Sequence, residues 1–275
     1  MYGNAVDLAG KGLFHRQMAA SLVELTDAAS VDRAARALFG SPLDTRPAVS
    51  QSFAAWRSAQ EAPLTTIKIN EYAPESQLDW LALHIARARA DAIVITGKIL
   101  RDEPNLTYDL RADPRWGDAL VQWRERRWAI FDPPWLLILT ARGEINFEHP
   151  VFHGWGRPLI FTNDRAATRK LAAAPCPVVS DQEPDIRRAI AHLRRDRACD
   201  CVSIEAGPTT ARDLYQRPML VRELLLSVYL EQSLDQRAQG ETLISLAEVR
   251  KLFRTETSTT HRDNGQHWSF HRLSR

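Results

Sequence analysis

Cys201-Val202-Ser203-Ile204-Glu205-Ala206-Gly207-Pro208-Thr209-Thr210-Ala211-Arg212-Asp213-Leu214-Tyr215 is the stretch on which the reading of this chain turns. A short apolar run stops at small residues and passes into a helical pattern. This predicts strand, tight turn and helix, with Pro208 in the first helical turn. The free N–H groups of such a helix start point outward and the helix dipole favours negative charge there, so the turn suits a phosphate-bearing ligand. The same pattern also serves as an ordinary strand-to-helix connection in α/β proteins, and the rest of the chain has to decide.

Upstream, residues 64–70 are β-branched and strand-like, and Ser76 opens an amphipathic helix over residues 78–87. Asp91-Ala92-Ile93-Val94-Ile95-Thr96 is a continuous apolar run, which predicts a strand buried on both faces and ended by Gly97. Residues 98–107 give a short turn of helix stopped by Pro104. Further strands are predicted at residues 135–140, 158–162, 177–180 and 220–230, with a helix near residues 185–195. The tail alternates as a hairpin around Asp263-Asn264-Gly265. Residues 64–275 therefore predict a mostly parallel α/β sheet finished by an antiparallel C-terminal hairpin.

Residues 1–62 have a different texture. Apolar positions recur at Met18, Leu22, Leu25 and Ala28, and again at Val31, Ala34, Ala35 and Leu38, with Ser30 or Asp32 as a cap for the second segment. Gly40-Ser41-Pro42 breaks the pattern, and residues 50–60, carrying Phe53 and Trp56, are read as another short helix. The division expected is a helical N-terminal extension over 1–62 and a main domain over 63–275, with an insertion at about 111–134. That insertion carries Trp116, Trp123 and Trp128 beside Arg124, Arg126 and Arg127. Such a pattern either stacks on a nucleotide ring or forms an amphipathic helix laid on the domain, and the second is the commoner use.

Composition narrows the class. Lys and Arg (36) nearly balance Asp and Glu (34), so charge gives no argument for nucleic acid or an anionic membrane as partner. Cys176, Cys199 and Cys201 lack metal-ligand spacing and are read as reduced thiols of a cytoplasmic protein. No signal peptide or membrane-spanning run is read, and no Walker loop, nucleophile elbow or zinc motif. His149 and His153 flank Pro150 and are read as loop residues, not metal ligands. Ligands of open α/β sheets bind beyond the carboxyl ends of the strands. The turns at Gly97, at Ala206-Gly207 and at Thr162-Asn163-Asp164-Arg165 are therefore expected to line one crevice, with Thr162 and Arg165 or Arg169 on a ribose phosphate.

Residues 90–97 and 100–107, with His84, Arg87 and Ala88 before them and Ile204-Glu205-Ala206-Gly207-Pro208 and Val221-Arg222-Glu223-Leu224 after, resemble the reductase domain of the bifunctional riboflavin-biosynthesis deaminase/reductase. The resemblance spans about residues 64–275 and implies a dihydrofolate reductase-like fold, NADPH as cofactor and a pyrimidine- or pterin-like heterocycle as substrate. With the turns read as one crevice, Gly97, Lys98, Thr162, Arg165, Glu205, Ala206, Gly207 and Thr209 are expected on the cofactor, and Glu75, Asp102 and Glu103 are the carboxylates to test as proton donor, each also readable as a surface or capping residue. The chain departs from the pattern in having Ala206-Gly207 for a glycine pair, Lys98 for a threonine, and Tyr72-Ala73-Pro74-Glu75 after the first strand. A methyl at residue 206 is expected to crowd a pyrophosphate. The expected function is an NADPH-dependent reductase, paired as a homodimer through sheet edges. The alternative is a catalytically silent relative that binds a nucleotide or a protein through the Trp/Arg insertion.

Overall fold

Apolar runs from Val49 to the C-terminus join a single sheet, and helices cover both of its faces. The computed structural model describes residues 24–275. In chain order its elements begin with α1 (Ala28–Phe39), β1 (Val49–Trp56), β2 (Pro63–Ile67), α2 (Gln77–Arg89), β3 (Ala92–Thr96), α3 (Gly97–Asp102) and α4 (Gly117–Trp128). The middle of the chain supplies β4 (Trp135–Leu139), β5 (Arg157–Asn163), α5 (Asp164–Lys170), β6 (Val178–Asp181), α6 (Ile186–Asp196), β7 (Val202–Ile204) and α7 (Pro208–Tyr215). The last part adds β8 (Glu223–Tyr229), β9 (Gln239–Ser245), α8 (Leu246–Lys251), β10 (Thr255–Asp263) and β11 (Gln266–Ser274).

The strand order is β10-β11-β8-β1-β7-β3-β4-β5-β6, with β2 beside β1 and β9 beside β2. Strands β8 to β6 in that order run parallel. The β10–β11 hairpin closes antiparallel on β8, turning at Asn264 and Gly265, whose positive φ values suit those two residues. Ile93 and Ile95 of β3 enter one apolar core while Ala92 and Val94 enter another, as a strand covered on both faces requires.

Three readings of the sequence need correction. Residues 50–60 are not a helix: β1 lies inside the sheet, paired with both β7 and β8. Its alanines gave it a helical look, but tertiary pairing decides strand formation more than local propensity does. From Pro47 to Trp56 there is no charged residue, which is the mark of a buried strand. The boundary expected near residue 62 thus falls between two paired strands, β1 and β2. Second, α1 is capped by Asp27, which accepts from Ser30 N (2.8 Å) while Ser30 Oγ accepts from Asp27 N (3.1 Å), so neither expected cap is the N-cap. Met18 and Leu22 lie outside the described residues.

Third, the tryptophans of the insertion do not form a contact surface. Trp116 and Trp123 are buried, and Trp123 Nε1 donates to Asp32 Oδ1 (2.8 Å), fastening α4 to α1. The Arg124 guanidinium is buried as well, donating to the carbonyls of Ala88, Ala90 and Asp132. This is the helix laid on the domain, at 1% exposure for Trp116 and 0% for Trp123. Strand β9 escaped the sequence reading because Leu243 and Ile244 are adjacent and give no apolar–polar alternation; Gly240 lies so close to Thr66 of β2 that a Cβ there would clash.

A buried charge cluster closes the sheet around β8. Glu223 accepts from Arg89 Nη1 (2.8 Å) at the end of α2 and from Arg272 Nε (2.8 Å) on β11, with Arg89 and Glu223 each 2% exposed. Removing one partner of such a pair leaves an uncompensated charge in the interior. Arg89→Ala is expected to lower the unfolding free energy by about 3–5 kcal/mol in urea titration, while Arg272→Ala, whose side chain is less buried, costs less.

Candidate active site

The crevice arises from a divergence of strands. β1 pairs with β7 only through Val49, Ser50 and Gln51, and with β2 only from Ala55 onward. Ser52, Phe53 and Ala54 therefore face an opening, which is bounded by the end of β2, the start of α2, α3, the turn after β7 and the β10–β11 hairpin. Its volume is about 860 Å³, within the range that holds a small ligand or cofactor.

Glu205 sits at the floor. Arg87 of α2 reaches it with two hydrogen bonds, Nε to Oε1 (2.8 Å) and Nη2 to Oε2 (2.7 Å). The guanidinium also lies over the Tyr108 ring, 4.3 Å from its centroid. Burial works against the charge of Arg87, and the Glu205 carboxylate outweighs it, holding the guanidinium above its ordinary value. His84, one turn earlier, is buried beside Arg87; desolvation first and then that positive charge push it down to about 3, and its Nδ1 bonds the Trp80 carbonyl (2.9 Å).

Glu103 follows α3 directly and lines the same crevice. Its Oε2 is buried without a hydrogen-bond partner among the described residues. Burial raises its carboxyl to about 7, with the neighbouring Glu205 charge adding to the rise. It can therefore carry a proton near neutral pH. Asp102 also lines the crevice but is exposed and paired with Lys98, one helical turn away. Glu75 is exposed at the rim, where its backbone carbonyl accepts from Asn264 Nδ2 (3.3 Å).

At the turn after β7, the Gly207 Cα faces open space, and a Cβ built there would meet no atom within 4 Å. Gly207 is the N-cap of α7 and no side chain caps that helix, so its first N–H groups remain available. Ala206 is 4% exposed, packs in the core behind the turn and also lines the crevice. Thr209 donates its hydroxyl to Glu241 of β9.

The expectation that three turns line one crevice is corrected. Thr162 is fully buried, and Arg165 borders a separate hollow with Asn163 and Asp185 beyond β5. Strands β3 and β4 stand between β7 and β5, which at the usual strand spacing separates the two turns by about 14 Å. Gly97 is buried against Thr140, whose Oγ1 would lie 3.2 Å from a Cβ, and the start of α3 is capped by Thr96 Oγ1. Of that turn only Lys98 lines the crevice. Sequence reasoning missed Asp79, Trp80 and Trp268, which also line it. Asp79, three residues after the N-cap Ser76, was recognisable only as an acidic residue of a first turn.

Another hydrogen-bonded series, Ser269 Oγ to His271 Nε2 (2.8 Å) and His271 Nδ1 to Glu256 Oε1 (2.9 Å), has the order of a nucleophile, base and acid. Ser269 and His271 are buried and line neither the crevice nor the hollow beyond β5, so the series has no room for a substrate. Among the described residues no cluster of His, Cys, Asp and Glu is arranged to hold a metal ion, and no helix is long and apolar enough to cross a membrane. The cysteines carry free thiols.

No family model and no curated protein matches the sequence. Solved structures do share the architecture. The riboflavin biosynthesis reductase Rib7 of Saccharomyces cerevisiae is 13% identical, with a TM-score of 0.52 over 87% of this chain and 96% of that one. A pyrimidine reductase-like protein of Corynebacterium diphtheriae is 14% identical, with a TM-score of 0.56 over 91% of this chain and 99% of that one. RibD of Acinetobacter baumannii is 14% identical, with a TM-score of 0.52 over 84% of this chain but 58% of RibD, so this chain spans little more than half of that protein. The chain has the fold of these reductases, the dihydrofolate reductase-like α/β sheet that its motifs led us to expect.

Proposed function

We propose that this protein is an NADPH-dependent reductase of a C=N bond in, or attached to, a pyrimidine- or pterin-like heterocycle. The observation that carries the reading is Glu103: a carboxyl raised to about 7, with an unpartnered oxygen, beside an ion pair at the floor of a ligand-sized crevice. The structural neighbours, a riboflavin biosynthesis reductase and a pyrimidine reductase-like protein, support the substrate class.

The residues at the turn after β7 fit a dinucleotide. Gly207 leaves the space that a Cβ would fill, and the uncapped start of α7 offers N–H groups to a pyrophosphate. Lys68, at the rim, makes no ion pair among the described residues and is available to a phosphate. NADPH, when bound, supplies the hydride. Glu103 gives its proton to the nitrogen of the C=N bond, and the proton is restored from water. Arg87 is committed to Glu205 by two hydrogen bonds, and burial, with the Glu205 charge adding to it, favours the protonated form of Glu103.

A group that must be protonated to act loses its role as pH rises through its own pKa. The turnover number is therefore expected to fall tenfold per unit above about pH 7, and a flat profile between pH 6 and 9 would remove Glu103 from the reaction. Glu103→Gln keeps the volume and removes the acid; it should lower kcat by about 10²–10⁴-fold with NADPH affinity unchanged. Gly207→Val separates binding from folding. Its φ of −58° suits any residue and its Cβ meets nothing, so the thermal midpoint should stay put while NADPH affinity falls at least tenfold. Unaltered affinity would move the cofactor elsewhere.

A further inference from the structure

We propose that His149 is a positioning residue of this site: its imidazole holds the main chain of Glu103 and so sets the depth at which the proton-giving carboxyl sits in the crevice. The assignment rests on the reading of Glu103 as the acid of a reductase. His149 does not line the crevice itself; it comes from the loop that follows β4 and is 2% exposed. It caps a single 3-10 turn over Pro150–Phe152, where its Nδ1 accepts from Val151 N (3.2 Å). A ring nitrogen that accepts carries no proton, so in the neutral ring the hydrogen is on Nε2. That N–H donates to the Glu103 carbonyl oxygen (3.0 Å).

Both ring nitrogens are thus engaged by main-chain groups, and the two bonds serve different ends. The bond from Val151 belongs to the loop. Val151 packs in one apolar core with Leu100 of α3 and with Tyr108, so the ring is carried on a fixed platform. The bond to Glu103 belongs to the site. Glu103 ends α3 with its N–H donating to Ile99 O (2.9 Å), and Pro104 after it prevents the helix from continuing. Its carbonyl accepts from Leu106 N (3.1 Å) as well as from His149, so the peptide groups on both sides of its Cα are held. The side chain has no such restraint at Oε2, which lacks a hydrogen-bond partner among the described residues. Where the carboxyl sits is therefore decided by the main chain that carries it, and a tilt of that peptide would swing it toward solvent. A misplacement of about 1 Å at a reacting group costs up to about 100-fold in rate.

Two substitutions separate the two bonds. His149→Asn puts an amide oxygen where Nδ1 accepts and removes the donor to Glu103; His149→Gln does the converse, its amide N–H reaching the Glu103 carbonyl. The readout is the titration of Glu103 itself, followed by NMR on the full chain with isotope-labelled glutamate and assigned by its absence in Glu103→Gln. The titratable and charged groups that act on Glu103, namely Glu205, Arg87, Asp102, Lys98 and Tyr108, are the same in both variants. The wild-type carboxyl should titrate at about 7. In His149→Asn weaker burial favours the anion, so the midpoint should fall by about one pH unit or more. The pH above which kcat declines should fall with it, and kcat should drop about 10–100-fold with NADPH affinity unchanged. His149→Gln should keep the wild-type titration although it loses the cap of the loop. A wild-type titration of Glu103 in His149→Asn would overturn the assignment. So would an equal shift in both variants, which would make His149 a structural residue of its loop. If the chain binds NADPH and the shift is absent, the assignment fails and the reductase reading stands. If the shift appears in a chain that does not bind NADPH, the assignment stands as the holding of a buried carboxyl, and the reductase reading fails.

Discussion

The ion pair between Arg87 and Glu205 is the constraint on which the site depends. It joins the third turn of α2 to the turn after β7, and so fixes the two elements that bound the crevice on its floor. Both side chains are almost wholly removed from water, at 2% and 7% exposure, so each is costly without the other. The planar guanidinium fork matches the carboxylate through two bonds and leaves its face to Tyr108 and Trp80. A lysine could hold the charge but neither the second bond nor the ring contacts. The cation is committed to Glu205, and the Oε2 of Glu103 beside it is left without a partner.

The crevice itself is a consequence of sheet topology. A strand that pairs with one neighbour along its first residues and another along its last must present its middle to something else. In β1 that middle is Ser52, Phe53 and Ala54. The parallel strands β7 and β3 end on the same side, delivering Glu205, Gly207 and, through α3, Glu103 to the opening. The antiparallel hairpin delivers Trp268 from the other side of β8.

Much of this was legible in the chain. Runs such as Ile93-Val94-Ile95 and Leu136-Leu137-Ile138 declare strands buried on both faces, and Asn264-Gly265 declares its turn. The turn at Ala206-Gly207 and the segment around Glu103 were linked in the sequence by their resemblance to a reductase domain, and both line the crevice. What was illegible depends on register and depth. The helical reading of residues 50–60 failed because alanine content says nothing of the β7 and β8 edges that claim β1. The grouping of Thr162 and Arg165 with Gly207 failed because strand order, which sequence does not state, puts two strands between them. Asp79 was passed over since an acidic residue in a first helical turn is an ordinary helix-dipole partner, and only the crevice wall and Ser227 distinguish it.

The polar groups around the crevice are divided between its two sides. On the β7 side of β1, the start of α7 at Gly207 has no side-chain cap. On the β8 side, Asp79 is hydrogen-bonded to Ser227. Phe53 and Ala54 of β1 line the same opening with apolar side chains, and Glu103 lines it after α3. Where the chain departs from the family pattern, Ala206 packs in the core behind the turn and borders the crevice, and Lys98 is paired with Asp102 at its rim.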